Sequence, residues 1–272
     1  MPDPYYDQIG QLFHYNVLMD DATISALLDL NRLFYQKYGR SFAQTRRRIQ
    51  PGARRLLAQL STEGDWLDLG CGSGWLAVEW ALSAGQRGSY LGLDFSETLL
   101  QEARRNTAGL KQDIRFRQAD LSEPGWAAGL QPGSFEVVLA LAMLHHLPGE
   151  ELRRQVLKRV RTLLKPQAFF IHSEWQFQHS PKLSARRLPW NLIGLSEADV
   201  DPGDAVLDWR AGEAGQGQPA LRYVHQFSRE ELAGLARECG FEMVEEFESD
   251  GQGGRLSLYQ KWRKVYSMGV NE

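Results

Sequence analysis

The sequence predicts a doubly wound α/β fold, in which a mainly parallel sheet carries helices on both faces. Two observations lead to this prediction. Residues 65–77 read as a short apolar strand, a glycine loop and a helix, with Gly70, Gly72 and Gly74 at two-residue spacing. After this unit, strand patterns alternate with amphipathic helix patterns as far as residue 172. Ligands of such sheets bind beyond the carboxyl ends of the strands, so the glycine loop marks the expected site.

The predicted elements follow one another with short connections. Strands are expected at residues 66–69, 89–93, 114–118, 135–140 and 168–172. Helices are expected at residues 75–84, 97–108 and 150–164, the last of them stopped by Lys165 and Pro166. A helix at 228–238 and strands at 241–247 and 255–259 complete a seven-stranded sheet, whose last two strands suit a terminal hairpin with an antiparallel edge strand.

Two regions stand outside this alternation. Residues 1–60 are predicted to form a helical cap over the ligand side of the sheet, with one helix ended by Gly39 and another opened by Pro51. Residues 174–226 carry several prolines and the glycine-rich stretch 211–217. Long loops of this kind are usually functional or disordered, and this one enters where a substrate must sit. We therefore expect a ligand-binding domain at 61–264, with 174–226 as its substrate-recognition insertion.

Composition limits the classes of function. The chain has 272 residues and a net charge of −3, which argues against indiscriminate binding to nucleic acid. Arginine clusters at 46–48, 153–161 and 186–187 leave a local basic face open. No apolar run of roughly 18 residues predicts a membrane span, and the first ten residues lack the pattern of a signal peptide. Two cysteines, Cys71 and Cys239, predict neither a disulfide framework nor a metal site. A cytoplasmic protein without a metal site is expected.

Asp94 is the second strong signal for a ligand. It ends the second predicted strand, twenty positions after Gly74. An acid at this place can accept hydrogen bonds from both ribose hydroxyls of an adenosine ligand. The alternative is a strand-end turn or a helix cap, because Ser96 and Glu97 follow.

Four segments occur in order over residues 65–147, namely D-L-G-C-G-S-G, G-L-D-F-S, R-Q-A-D-L and V-V-L-A-L-A-M-L-H-H-L. Together they resemble the class I S-adenosylmethionine-dependent methyltransferases. The resemblance implies an enzyme with S-adenosyl-L-methionine as its cofactor. The cofactor-binding residues it implies are Asp68, Gly70, Gly72, Gly74, Asp94, Phe95, Ser96, Asp120, Leu121, Ala140 and Leu141.

Within this set, Asp68 and Gly70 are expected at the methionine end of the cofactor and Phe95 against the adenine. Asp120 is expected to accept a hydrogen bond from the adenine amino group. The alternative for Asp120 is a helix cap, because Glu123 follows three residues later as in a capping box.

Further segments resemble the wobble-uridine tRNA carboxymethyl methyltransferases. They are S-F-A-Q-T-R at 41–46, E-W at 174–175, L-P-W at 188–190 and L-R-Y-V-H-Q-F at 221–227. The terminal N-W-W/Y element of that family is not found at 253–258. The resemblance implies a carboxylate on a modified tRNA uridine as methyl acceptor, a substrate pocket formed with Arg222, Tyr223 and His225, and a small zinc-binding partner protein.

The predicted catalytic residues are His145, Arg222, Tyr223 and His225. One histidine of the His145-His146 pair is expected to face the substrate as an orienting group or base, the alternative being a loop histidine bonded to backbone. Arg222 could hold a carboxylate with two parallel hydrogen bonds, or could be a surface residue flanking a strand. Trp175 and Trp190 could stack on a base or pack the insertion on the core. The predicted function is methyl transfer to a tRNA carboxylate, and the alternative is methyl transfer to a small carboxylic acid or phenol.

Overall fold

The computed structural model describes residues 19–45, 47–61, 63–83, 85, 87–210 and 220–265. Residues 1–18 of the predicted cap, Arg46 of the S-F-A-Q-T-R segment and the glycine-rich stretch 211–217 lie outside the described residues.

The helices are α1 (Asp21–Gln44), α2 (Pro51–Leu57), α3 (Trp75–Leu82), α4 (Glu97–Thr107), α5 (Glu150–Leu163), α6 (Pro181–Ser184) and α7 (Arg229–Glu238). The strands are β1 (Trp66–Leu69), β2 (Ser89–Asp94), β3 (Asp113–Gln118), β4 (Phe135–Leu141), β5 (Leu164–Trp175), β6 (Arg187–Leu188), β7 (Asp204–Trp209), β8 (Ala220–His225), β9 (Phe241–Ser249) and β10 (Ser257–Lys264). Short 3₁₀ turns lie at Leu144–His146, Phe177–His179 and Trp190–Ile193.

The main sheet has the strand order β3-β2-β1-β4-β5-β10-β9. Strands β1 to β5 are parallel, and β10 is antiparallel to both of its neighbours. The doubly wound seven-stranded fold with an antiparallel terminal strand is therefore confirmed. The antiparallel strand lies one place inside the sheet, because β10 inserts between β5 and β9 and leaves β9 at the edge.

Helix α5 ends where β5 begins, at Leu164, which pairs with Phe135 of β4. Lys165 and Pro166, predicted to stop the helix, thus belong to the strand. Apolar residues cover both faces of the sheet. One cluster joins the sheet to α5 and α7, and the other joins it to α2 and α3 around Trp66, Trp80 and Tyr90. Burial on both faces explains why β1 and β4 are apolar in sequence except at Asp68 and Glu136.

The insertion contains a small antiparallel sheet of order β6-β7-β8, which the sequence did not predict. Helix α1 packs against β8, the edge strand of this sheet. The side chain of Asn31 accepts a hydrogen bond from the backbone N–H of Tyr223 at 2.9 Å and donates one to its carbonyl at 3.2 Å. Asn31 thereby occupies the place of a neighbouring strand at this residue and covers an otherwise open edge.

Helix α1 continues through Gly39, where a helix end was predicted. Gly39 is buried against the start of α4, and a Cβ added there would lie 3.6 Å from the Ser96 hydroxyl. The glycine thus marks a close contact between two helices. Residues 41–44, expected between two helices, form the last turn of α1 instead.

Candidate active site

A cavity of about 360 Å³ opens beyond the carboxyl ends of the main-sheet strands. Its floor comes from the glycine loop and from the residues that follow β2, β3 and β4. Its roof comes from α1 and from the segment that leads into α2, and its far wall from β5 and β10. The cavity therefore lies between the sheet and the helical cap, at the place that the fold class predicts.

Gly70 and Gly72 give the loop after β1 its shape. Both have positive φ, +72° and +54°. A Cβ on Gly70 would lie 2.7 Å from the side chain of Met143, whereas a Cβ on Gly72 would meet nothing within 4 Å. Gly72 thus leaves open space at the cavity, where a ligand can approach the backbone.

Asp94 holds this loop. Its carboxylate accepts hydrogen bonds from the backbone N–H of Gly72 at 2.9 Å and from that of Ser96 at 2.8 Å. Burial raises the pKa of Asp94 to about 6. The cap of α4 is the Ser96 side chain, which accepts from the Leu99 N–H. Asp94 therefore fixes a strand-end turn and also lines the cavity, so that the two expectations for this residue are compatible.

Asp68 is the second buried acid at the cavity. The hydroxyl of Tyr90 donates a hydrogen bond to it. Burial raises the pKa of Asp68 to about 7, and the nearby charge of Asp94 adds to the rise. Two buried carboxyls with raised pKa values at one cavity suit a ligand that brings hydroxyl or ammonium donors to them.

Asp120 lines the cavity but is already well supplied with donors. Ser122 donates to Oδ1 through its backbone at 3.0 Å and its hydroxyl at 2.6 Å, and Arg32 of α1 donates to Oδ2 at 2.9 Å. Burial raises the pKa of Asp120, but these hydrogen bonds more than offset it and hold the pKa below the ordinary value. An adenine amino group would have to share this carboxylate with Arg32.

Of the predicted cofactor residues, Asp68, Gly70, Gly72, Asp94, Phe95, Asp120, Leu121 and Leu141 line the cavity. Gly74, Ser96 and Ala140 do not belong to this lining. Gly74 allows α3 and α4 to approach, because a Cβ there would lie 2.8 Å from that of Ala103. Ser96 caps α4, and Ala140 is fully buried in the core below the site.

The histidine that faces the cavity is His146, whereas His145 is fully buried behind it. Nδ1 of His145 lies 3.0 Å from the carboxyl of Glu174, and its ring stacks on Trp175 with centroids 5.3 Å apart. His146 has Nδ1 at 3.1 Å from the carbonyl of Tyr223 and Nε2 at 3.1 Å from the hydroxyl of Tyr35. The direction of the 3₁₀ turn after β4 determines which of the two rings faces the cavity. The sequence, with two adjacent histidines, does not indicate this direction.

Tyr223 and His225 lie on the other side of β8, away from the cavity lining. The Tyr223 hydroxyl donates to Asp204 at 2.7 Å, and Nδ1 of His225 lies 2.6 Å from the same carboxylate. Both belong to a buried cluster, here called the Arg153 network. It comprises Arg153, Asp201, Asp204, Tyr223, His225 and Glu231. This network joins the small sheet to α5 and α7.

Arg222 does not line the cavity itself but contacts side chains that do. Its guanidinium centre is 4.4 Å from the ring of Trp175, and Tyr35 lies near enough to act on its charge. Trp175 and Tyr35 both line the cavity. Nε and Nη1 of Arg222 are buried and have no hydrogen-bond partner among the described residues. Burial lowers the pKa of Arg222, and the neighbouring Tyr35 opposes that effect.

Aromatic side chains supply much of the remaining wall, and most were not predicted as site residues. They are Tyr35, Phe42, Trp75, Trp175 and Tyr259. Trp175 is the one for which stacking on a ligand was considered. Tyr259 is held by Asp250, which accepts from its hydroxyl at 2.7 Å and from the N–H of Gly52 at 3.0 Å. Tyr35 and Phe42 share α1, whereas the other three come from three separate elements, so no local pattern joins the whole set.

Two absences apply to the described part of the chain. No group of three or more His, Cys, Asp or Glu side chains there is arranged to hold a metal ion. None of the described helices combines the length and the hydropathy that a membrane span requires.

Comparison with known proteins bears on this cavity. Residues 67–167 match the family described as a methyltransferase domain. The chain is 27% identical to carboxy-S-adenosyl-L-methionine synthase of Sulfurimonas denitrificans over 187 residues, which cover 68% of this chain and 73% of the relative.

Two solved structures share the fold. The 1,6-didemethyltoxoflavin-N1-methyltransferase of Burkholderia thailandensis, with bound 1,6-didemethyltoxoflavin and S-adenosylhomocysteine, has a TM-score of 0.61 at 20% identity and covers 89% of this chain and 88% of that chain. A methyltransferase in complex with the Haloferax volcanii Trm112 activator has a TM-score of 0.58 at 15% identity and covers 88% and 99%.

Proposed function

We propose that this chain, an S-adenosylmethionine-dependent methyltransferase of the class I fold, methylates a small planar molecule held between α1 and the main sheet. The observation that carries this proposal is the aromatic wall of the cavity, made by Tyr35, Phe42, Trp75, Trp175 and Tyr259. A pocket lined by aromatic and apolar side chains with few polar groups is typical of small-molecule sites. The Burkholderia enzyme of the same fold, a methyltransferase with bound 1,6-didemethyltoxoflavin, is consistent with it.

The cofactor fits the floor of the cavity. The open space above Gly72 admits a ligand close to the backbone, and the buried carboxyls of Asp68 and Asp94 match ammonium and hydroxyl donors. Phe95, Leu121 and Leu141 supply apolar surface beside them. When bound, S-adenosylmethionine supplies a methyl group attached to a positively charged sulfur. The protein then contributes proximity, orientation and exclusion of water.

The acceptor belongs under the roof of the cavity. In this proposal residues 1–60 are the cap of the site, and the insertion at 174–226 contributes Trp175 to its wall. Tyr35 and Phe42 project from α1, so the cap supplies part of the acceptor pocket itself. A planar molecule can stack on such rings, whereas a folded RNA would need the cap to move aside.

The test combines binding with labelling. Calorimetry with S-adenosylmethionine should give binding that weakens at least tenfold in Asp94→Ala, since hydrogen bonds to an ionised acceptor contribute about 1.5–3 kcal/mol each. Asp113→Ala, an exposed acid on β3, is the matched control. Protein incubated with methyl-labelled cofactor and fractionated cell extract should label the small-molecule fraction. Label confined to the RNA or protein fraction would refute the proposed acceptor class.

A second candidate acceptor is the carboxylate of a modified tRNA uridine, in a protein that works in the cytoplasm with a small zinc-binding partner. The unpaired Nε and Nη1 of the buried Arg222 favour it, because a carboxylate accepts two parallel hydrogen bonds from a guanidinium. The fold neighbour in complex with a Trm112 activator is consistent with such a partner. In this candidate Trp175, which stacks on Arg222, must move to admit the carboxylate.

Arg222→Lys separates the two candidates. Lysine keeps the charge but loses the planar fork, so labelling of tRNA should fall nearly as far as in Arg222→Ala. Cofactor affinity should remain unchanged in both variants, because Arg222 does not line the cavity, whereas Asp68, Gly72 and Asp94 do. Equal labelling of tRNA by the parent and both variants would remove the residue-level support for a carboxylate acceptor.

A further inference from the structure

We propose that Tyr35 and His146 form a proton-accepting pair in the acceptor pocket, and that the acceptor is therefore a phenol or a heteroaromatic N–H compound. This inference rests on the proposed function and narrows its substrate class. A carboxylate is ionised at neutral pH and needs no base, whereas a phenol or a ring N–H must lose a proton before or during methyl transfer.

The hydrogen bonds of His146 determine where its proton lies. Nδ1 is 3.1 Å from the carbonyl oxygen of Tyr223, which can only accept, so Nδ1 carries the hydrogen. Nε2 then carries the lone pair and accepts from the Tyr35 hydroxyl at 3.1 Å. The pair is therefore aligned so that a proton can move from the Tyr35 oxygen to Nε2 of His146. Both residues line the cavity.

Arg222 supports negative charge on the Tyr35 oxygen. Its guanidinium is buried, and it lies close enough to Tyr35 for that side chain to oppose the effect of burial on the pKa of Arg222. A positive charge in a low-dielectric environment stabilises an adjacent oxyanion more strongly than it would in water. In this arrangement Arg222 is a positioning residue, because it acts on the acceptor through Tyr35.

The neighbouring histidine does not compete for this role. His145 is fully buried, its Nδ1 faces Glu174, and burial holds its pKa well below the ordinary value. The ring centroids of His145 and His146 are 4.5 Å apart, so a neutral His145 avoids repulsion when His146 gains a proton. Within the described part of the chain, the charged and titratable groups that face the pair include Arg222 from β8 and His145 from the same turn.

The transfer of atoms balances. The acceptor O–H or N–H proton passes to the Tyr35 oxygen while the Tyr35 proton passes to Nε2 of His146, which becomes an imidazolium. The lone pair left on the acceptor forms the bond to the methyl carbon, and the pair of the broken carbon–sulfur bond remains on sulfur. The products are the methylated acceptor and S-adenosylhomocysteine, and the imidazolium later releases its proton to solvent.

The experiment uses 4-nitrophenol, whose ionised form has its own visible absorption band. The probe is titrated into the full-length protein saturated with S-adenosylhomocysteine, at a pH where free 4-nitrophenol is mostly protonated. We expect bound probe to show the band of the ionised form. Tyr35→Phe and His146→Gln should reduce that band about tenfold, which corresponds to about 1.4 kcal/mol, while the dissociation constant changes little.

The turnover of two phenols is a second test of the proton-accepting pair. For 4-methylphenol, which stays protonated at neutral pH, both variants should lose about 100-fold or more in kcat, as expected for loss of a general base. For 4-nitrophenol the loss should be much smaller, because the probe ionises without help. Tyr38→Phe, a buried tyrosine one turn further along α1, and His179→Gln are the matched controls, and both should behave like the parent.

Several outcomes would overturn the inference. They are a bound probe that stays protonated in the parent, a band that is unchanged in both variants, equal kcat losses for the two phenols, and failure of the parent to bind either phenol. Thermal melting of each variant identifies one that fails to fold, and the other then carries the test. Failure of the proposed function is recognised separately, because it would appear as loss of S-adenosylmethionine binding or as label outside the small-molecule fraction.

Discussion

Two buried arginines of similar exposure have opposite surroundings. Arg153 of α5 is 1% exposed and Arg222 of β8 is 2% exposed. Arg153 donates from Nε to the carbonyl of Leu147 at 3.0 Å and from Nη1 to Glu231 at 2.9 Å, and its Nη2 faces Asp201 at 3.3 Å. Arg222 has two nitrogens without a hydrogen-bond partner among the described residues and lies against Trp175.

The difference separates a buried charge that the surrounding carboxylates neutralise from one that the fold leaves without such partners. Burial lowers the pKa of both guanidinium groups, but the carboxylates around Arg153 reverse the effect and raise its pKa, while that of Arg222 stays lowered. An unpaired buried cation costs free energy of folding, so the rest of the structure must hold it in place. Arg222 lies beside the proposed site, where a buried cation without hydrogen-bond partners is available for the role proposed above.

The largest expected effect comes from Arg153→Met. This change leaves the buried Asp204 and the partly buried Asp201 and Glu231 without their cation. Breaking such a network should lower the free energy of unfolding by about 3–5 kcal/mol, measured by urea denaturation. A loss below about 1 kcal/mol would show that the network is dispensable and would remove the contrast between the two arginines.

The pH dependence of stability at two histidines extends the comparison of the two arginine environments. His225 belongs to the Arg153 network. Burial lowers its pKa, but the hydrogen bonds with Asp204 and Glu231 raise it by a larger amount, so the net shift of the pKa is upward. Its contribution to stability is therefore present below about pH 6.5 and is lost as the pH rises through its folded pKa. The cost of His225→Gln should thus shrink as the pH rises.

His145 should give the opposite slope. Burial holds its pKa well below the ordinary value, so the folded parent resists protonation and loses stability as the pH falls below about 6.5. The cost of His145→Gln should therefore shrink as the pH falls. Each slope can reach about 1.4 kcal/mol per pH unit in urea titrations at several pH values. Slopes of the same sign would contradict the assignment of the two environments.

Arg222→Met should change stability far less than Arg153→Met does. The substitution removes a desolvated cation but also its contacts with the rings of Trp175, Phe34 and Phe42. These terms oppose each other, and a cation–π contact contributes about 0.5–2 kcal/mol, so the free energy of unfolding should stay within about 1 kcal/mol of the parent. A loss as large as that of Arg153→Met would mean that Arg222 is a structural residue.

The smallest effect is expected for Arg32→Met, a third arginine that lies at the cavity rim. Its side chain is 34% exposed and pairs with Asp120 and Asp29. Ion pairs of this exposure contribute about 0–1 kcal/mol, so thermal melting should show a small change. A loss above about 2 kcal/mol would place Arg32 with Arg153 among the structural arginines.

Most of the parallel part of the fold could be predicted because β1, β2 and β4 are largely buried apolar runs separated by helix patterns, and the edge strand β3 alternates apolar and polar residues. The positions of Asp68, Gly72 and Asp94 at the cavity could be predicted because the glycine loop and the acid after β2 are close in sequence. The end of α1 was missed because Gly39 is also a common helix end, and only its contact with α4 shows otherwise.

The acceptor side could not be predicted in the same way. Tyr35, Trp175 and Tyr259 meet only after the cap, the insertion and the last strand have packed together. The sequence does not predict the small sheet, because β7 and β8 lie in the region where strand and helix patterns no longer alternate. His145 was selected instead of His146 because adjacent identical residues carry no information about the direction of a 3₁₀ turn.

The two hydrogen bonds between Asn31 and Tyr223 have a consequence for folding during synthesis of the chain. The two residues are 192 positions apart, so α1 leaves the ribosome long before β8 exists. At about 5–20 residues per second, roughly 10–40 seconds separate the synthesis of the two partners. During that time Leu27, Phe34 and Tyr35, which are buried in the finished protein, have no β8 to cover them. Helix α1 is therefore among the last of the described elements to reach its final place, and a nascent chain stalled before residue 223 should be a ready client for chaperones.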